Sequence, residues 1–170
     1  MSIVTGLFTD KESAEQAYRS ASQSGYSSNE INVIMSEETK ERYYGKHATL
    51  ETEVGNKAAE GGAIGAALGG TVGAIAAAVA AVGTVIALPG LGLVVAGPLA
   101  AAVAGAGAGG VTAGIVGALI GWGIPEDRLE EYKSGLEEGG IVIGVKPRSD
   151  DDARRFETEW AANRGQGINF

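Results

Sequence analysis

Between Gly61 and Pro125 the chain carries no Asp, Glu, Lys or Arg. An uncharged run of that length does not make an ordinary water-facing surface, so it must be buried in a partner or against itself. Small residues recur along it at every fourth position. Gly61, Gly65, Gly69 and Gly73 form one series, continued by Ala77 and Ala81; Gly97, Ala101, Gly105, Gly109, Ala113, Gly117 and Gly121 form another. Residues four apart share one face of a helix, and a face without bulk lets a neighbouring backbone approach closely. Ile64, Leu68, Val72, Ile75, Val79, Val82 and Ile86 supply a separate stripe of large residues. A flexible linker lacks β-branched residues at helical period. Between the two series, Leu88-Pro89-Gly90-Leu91-Gly92 gathers chain breakers, which puts a turn at Pro89 and Gly90. Pro98 suits the first turn of a returning helix. The pattern predicts two helical arms, 61–88 and 96–123, folded into an apolar glycine-zipper hairpin.

What buries that hairpin is open at this level. An arm of about 28 residues is about 42 Å long as a helix, enough for a hydrocarbon core of about 30 Å. Tyr43 and Tyr44 ahead of one arm and Trp122 at the end of the other are candidates for interface anchors, with Lys46, Lys57 and Arg128 nearby. Gly and Ala, however, gain little from lipid and much from close packing. Two partners therefore remain: a lipid membrane, and further copies of the chain meeting in a protein-only core.

Composition narrows the chemistry. With no cysteine, disulfides and thiolate sites are excluded, and the lone His47 leaves no His-cluster metal centre. A net charge of −8 argues against nucleic acid as a partner, because phosphate binding needs a basic face. The 28 glycines are more than twice the usual share of about 7%. Met1-Ser2-Ile3-Val4 lacks the basic start of a secretory leader, so the expected location is cytoplasmic or the cytoplasmic side of the inner membrane.

The flanks, 1–52 and 126–170, read as one discontinuous α+β domain around the inserted 53–125. Ser2–Phe8 reads as a strand, with Thr9 and Glu12 marking the start of a helix that Gly25 ends. Ile31–Met35 reads as a second strand, followed by a short polar helix, Glu37–Tyr44. After Pro125, which suits a helix start, comes a helix ending near Gly139-Gly140, then a strand at Ile141–Val145. A helix at Asp150–Asn163 and a strand at Gly167–Phe170 complete the chain. Ile3-Val4-Thr5-Gly6 and Ile141-Val142-Ile143-Gly144 echo one another at the head of two strand–helix–strand halves. That order predicts a ferredoxin-like βαββαβ sheet with the insertion between its second and third strands.

No constellation for catalysis emerges. Gly105-Ala106-Gly107-Ala108-Gly109-Gly110 matches GxGxxG, but it lies in mid-arm rather than between a strand and a helix start. Ser36-Glu37-Glu38-Thr39 and Asp150-Asp151-Asp152 sit at helix starts, where acids cap. No catalytic residue, cofactor or metal is expected.

Thr5-Gly6-Leu7-Phe8-Thr9-Asp10 with Ala14 and Ala17, then Gly25-Tyr26 and Glu30-Ile31-Asn32-Val33-Ile34, resembles the N-terminal half of bacterial general stress proteins. Gly123-Ile124-Pro125-Glu126, Tyr132 and Gly139-Gly140-Ile141-Val142-Ile143 resemble their C-terminal half, and a similar pattern occurs in low-temperature-induced and heat-induced stress proteins. The resemblance implies expression under stress and no catalytic activity, and it carries over no site residues. The expected function is a non-enzymatic, homo-oligomeric structural protein whose zippered hairpin inserts in or associates with a membrane. Alternatives are a soluble self-assembling particle with the hairpins as its core, or a ligand-binding α+β module anchored by the hairpin.

Overall fold

Short apolar runs between turn residues build the sheet, and two helices with side-chain caps close over it. In the computed structural model the chain is described at residues 3–44, 74–75, 86–88, 93–97, 116, 119–120 and 122–169. The elements are β1 (Val4–Phe8), α1 (Lys11–Gln23), β2 (Ile31–Ser36), α2 (Glu37–Tyr44), β3 (Ile86–Leu88) and β4 (Leu93–Ala96). After a 3-10 turn at Glu126–Arg128 come α3 (Leu129–Glu137), β5 (Ile141–Val145), α4 (Asp150–Ala162) and β6 (Gln166–Asn169). The protein is α+β.

The strands lie in the order β3-β4-β2-β5-β1-β6, each antiparallel to its neighbours. β1 and β2 are not neighbours in the sheet. β5 separates them, pairing Val4↔Val145 to Phe8↔Ile141 on one side and Ile31↔Val145 to Met35↔Ile141 on the other.

Because side chains alternate across a strand, each strand feeds two cores. Val4, Phe8, Ile31, Val33, Met35, Val94, Ile141, Ile143 and Val145 point to one face, where Ala14, Ala17, Ala21, Phe156 and Trp160 of α1 and α4 cover them. Leu7, Ile34, Leu93, Val95 and Val142 point to the other, against Tyr132 and Leu136 of α3 with Leu119, Trp122 and Ile124. With both faces covered, β1 and β5 are buried at every position.

The expected helical arms are corrected at the centre of the insertion. Ile86–Leu88 and Leu93–Ala96 are strands, paired from Ile86↔Val95 to Leu88↔Leu93. The expected turn residues Pro89 and Gly90 lie outside the described residues; the elements on either side of them are antiparallel strands rather than the tip of a helical hairpin. A short apolar run between breakers does not distinguish a buried strand from a buried helix by periodicity. Pairing decides: without β4, the row of backbone groups on the outer side of β2 would face no partner strand. Gly97, placed by its spacing on the second arm, ends β4 instead. Its φ is +106°, and a Cβ there would lie 2.7 Å from the Ile31 carbonyl oxygen and from the Asn32 side chain.

The described parts of 53–125 are built into the domain rather than set apart from it. β3 and β4 extend its sheet, and Ile75, Leu119, Trp122 and Ile124 belong to its two cores.

Candidate functional site at the base of the glycine-rich insertion

The zipper positions Gly61, Gly65, Gly69, Gly73, Gly105, Gly109, Ala113, Gly117 and Gly121 lie outside the described residues, as does His47. Their described neighbours Ala74, Ile75, Val116, Leu119 and Ile120 are helical. What the structure defines is the base of the insertion, where it meets the domain on both faces of the sheet.

On the α1 face, Ile75 is fully buried in the core. Its backbone N–H donates to Oε2 of Glu15 at 3.2 Å, and the Tyr44 hydroxyl donates to Oε1 of the same carboxylate at 3.2 Å. Glu15 lies on the inward side of α1 and is itself 6% exposed. Burial, and after it the negative charge of Glu15, pushes the phenols of Tyr44 and Tyr18 far above the ordinary value. Lys11, one turn earlier on α1, gives its ammonium to the Tyr43 carbonyl at 3.3 Å and stands 4.9 Å over the Tyr44 ring.

On the α3 face, the returning segment closes with backbone hydrogen bonds from Gly123 to Ile120 and from Ile124 to Leu119, a Schellman ending. It seats Trp122 in the core at 1% exposure, against Gly144 of β5. Trp122, a candidate interface anchor by its place in the sequence, lies inside the domain, with its indole nitrogen lacking a hydrogen-bond partner. Tyr43 and Tyr44 are half-buried and packed edge to face beside the other core, 6.4 Å between centroids. A ring that fills a gap under a sheet and a ring that floats at a membrane surface have the same spacing in sequence. Ile120, one residue on from buried Leu119, is 50% exposed, and among the described residues it is the large hydrophobic side chain left open to solvent.

The acidic clusters act as helix starts. Ser36 accepts the Thr39 N–H at 3.0 Å, and Ser149 accepts the Asp152 N–H at 3.1 Å. At the same start of α4, Tyr26 donates to Asp152 at 2.8 Å and accepts the Arg148 N–H, while Arg148 stacks over its ring and pairs with Glu30. Hydrogen bonds from Arg148 and Ser27 hold the Glu30 carboxyl down at about 2. Between α1 and α4 runs an open polar groove of about 460 Å³, lined by Ser20, Gln23, Ser24, Glu159, Ala162 and Asn163. Within it the Ser20 hydroxyl donates to the Glu159 carboxylate, a contact that ties α1 to α4.

Among the described residues no helix is long and apolar enough to cross a membrane, and no three His, Cys, Asp or Glu side chains gather to hold a metal ion. No family model matches the chain, and neither a curated protein nor a solved structure is significantly similar to it.

The Glu15–Ile75 contact was not anticipated from sequence. A Glu among Ala14, Ala17, Tyr18 and Ala21 is a possible signal, since it places a carboxylate within the apolar stripe of α1.

Proposed function

We propose that the protein is a non-enzymatic, stress-associated homo-oligomer in which the glycine-rich insertion carries self-association and contact with a membrane. The observation that carries this reading is the run of small residues at every fourth position from Gly61 to Gly73 and from Gly105 to Gly121. The domain supports it as a platform: the insertion is rooted in both cores, through Ile75 on one face and Trp122 on the other. The half-exposed Ile120 at that root adds apolar surface beside it. Stress association rests on the resemblance of the flanks to the general stress proteins.

In the same reading the domain is ferredoxin-like. The order β2-β5-β1-β6, antiparallel throughout, supports a βαββαβ core, with the β3–β4 hairpin added at its β2 edge.

Replacing Gly69 and Gly109 together by Leu tests the zipper. The particle mass is expected to fall, because two isobutyl groups would hold the backbones apart; an unchanged mass in buffer and in detergent sinks the mechanism. High-speed sedimentation of a lysate separates the two settings. Recovery in the pellet, released by detergent but not by salt, supports membrane contact, whereas a large monodisperse particle in the supernatant moves the assembly to a protein-only core.

A further inference from the structure

A segment without charged side chains gives a domain few polar handles. From Gly61 to Pro125 there is no Asp, Glu, Lys or Arg, so a polar grip must take a backbone group, a Thr hydroxyl or the Trp122 indole. Glu15 takes a backbone N–H. Its carboxylate is 6% exposed and accepts from the Ile75 amide on one oxygen and the Tyr44 hydroxyl on the other, each at 3.2 Å. Hydrogen bonds from N–H to a carboxylate are stronger than those to a neutral acceptor, which suits a single point of attachment.

The arrangement also has two states built into it. An ionised carboxylate withdrawn from water is unfavourable unless hydrogen bonds replace its hydration. A carboxylate has about four acceptor positions, and among the described residues two donors reach this one. The nearby cation, Lys11, is engaged with the Tyr43 carbonyl and the Tyr44 ring. The charge is thus held by two donors from two segments, α2 and the insertion. If Ile75 leaves, Glu15 loses a hydrogen bond to its carboxylate and gains water. If Glu15 is removed, the buried amide of Ile75 is left without its acceptor.

We propose that Glu15 is a latch that holds the Ala74-Ile75 stretch of the glycine-rich insertion on the α1 face, so that loss of this contact releases that stretch while the sheet, with its β3–β4 hairpin, stays intact. The consequence for assembly rests on the self-association reading above; the latch itself does not.

Hydrogen–deuterium exchange on the full-length protein tests it, comparing the peptide that contains Ala74-Ile75 with peptides from β1 and β5. In Glu15→Ala, exchange at Ile75 should rise about tenfold or more while Val142 and Ile143 stay protected. Tyr44→Phe removes the other donor at little cost in shape, and should shift Ile75 in the same direction by a smaller factor. Wild-type exchange at Ile75 in Glu15→Ala overturns the latch. So does acceleration of Val142 and Ile143 by the same factor as Ile75 in Tyr44→Phe, because the contact would then be an undifferentiated part of the core. Particle mass of the Gly69→Leu, Gly109→Leu chain judges assembly separately and does not enter the exchange result.

Discussion

α1 and α4 are the same helix built twice with different contents. Each has thirteen residues, opens on a side-chain cap and closes with a backbone bond back across its last turn. Counted from the caps, Ala14 corresponds to Ala153, Ala17 to Phe156 and Ala21 to Trp160, all buried against one face of the sheet. The helices meet at Ser20 and Glu159, themselves corresponding positions, where the hydroxyl donates to the carboxylate. At the second and third of these pairs α1 presents methyl groups where α4 presents rings. Phe156 and Trp160 stand 5.5 Å apart, Trp160 meets Phe8 edge on at 5.8 Å, and Phe156 meets Tyr26 at 5.3 Å. The difference shows what the layer conserves: volume is filled across the pair of helices, not within either one.

The largest expected effect breaks that division. Trp160→Ala should cost about 3–5 kcal/mol, whereas Ala21→Gly at the corresponding place should cost about 1 kcal/mol, mainly through helix propensity. Chemical denaturation of both variants measures the ratio. Trp160→Phe should fall between them, because it keeps ring contacts and removes an indole N–H that is buried without a partner. Equal losses for Trp160→Ala and Ala21→Gly would show that α1 carries as much of the core as α4.

The two halves were legible in sequence through turn residues and acids at helix starts, not through the echo that first suggests them, and even there α1 is capped by Asp10 rather than Thr9 and α4 by Ser149. Aligning Ile3-Val4-Thr5-Gly6 with Ile141-Val142-Ile143-Gly144 sets Asp10 against Arg148, one residue short of the true cap Ser149. It also equates opposite faces of the sheet: a Cβ at Gly6 would lie 3.1 Å from Trp160, and one at Gly144 would lie 2.7 Å from Trp122. The element order of the flanks agrees with the structure for local reasons. Capping side chains, acids in a first turn and a residue in left-handed conformation at a helix end act within a few residues, so they can be read along the chain. Pairing partners cannot. Whether Val94 and Val95 belong to a helix or a strand depends on the edge of β2, some sixty positions earlier in the chain. Trp122 looked like an interface residue because its place beneath the sheet, over Gly144, is set by tertiary contact alone. The base of the insertion was therefore the least legible part.

A middling effect comes from how the two helices end. Gly25 at φ +87° closes α1, and Arg164 at φ +64° closes α4. Left-handed backbone costs a residue with a Cβ about 1–2 kcal/mol, while glycine adopts it freely. Gly25→Ala should therefore destabilise by about 1 kcal/mol, although the space around it is open, with only an Arg148 nitrogen at 3.9 Å. Arg164→Gly should stabilise by a similar or smaller amount, offset by the greater freedom of glycine in the unfolded chain. Thermal melts of the two variants should move in opposite directions; movement in the same direction would mean that contacts outweigh backbone conformation at one of the ends.

The smallest effect separates the helix starts by charge. Asp10 accepts the Ser13 N–H at 2.8 Å and its hydroxyl at 2.9 Å, and the backbone bond is the chief cause holding the Asp10 carboxyl below its ordinary value of 3.8. Ser149 does the same work for α4 without a titrating group. A folded-state pKa below the unfolded one means that the contribution is fully present above the unfolded value and is lost as pH falls through the folded value. Asp10→Ala and Ser149→Ala should each cost about 1 kcal/mol near neutrality. On acidification from about pH 6 to about pH 2, the cost of Asp10→Ala should shrink while that of Ser149→Ala holds, since a protonated carboxyl is the weaker acceptor. Asp10→Asn, which caps without ionising, should remove most of the pH dependence. Urea midpoints along the pH series measure the difference; parallel curves for the two alanine variants would mean that the carboxylate caps α1 by shape, and that its charge contributes nothing the Ser149 hydroxyl does not.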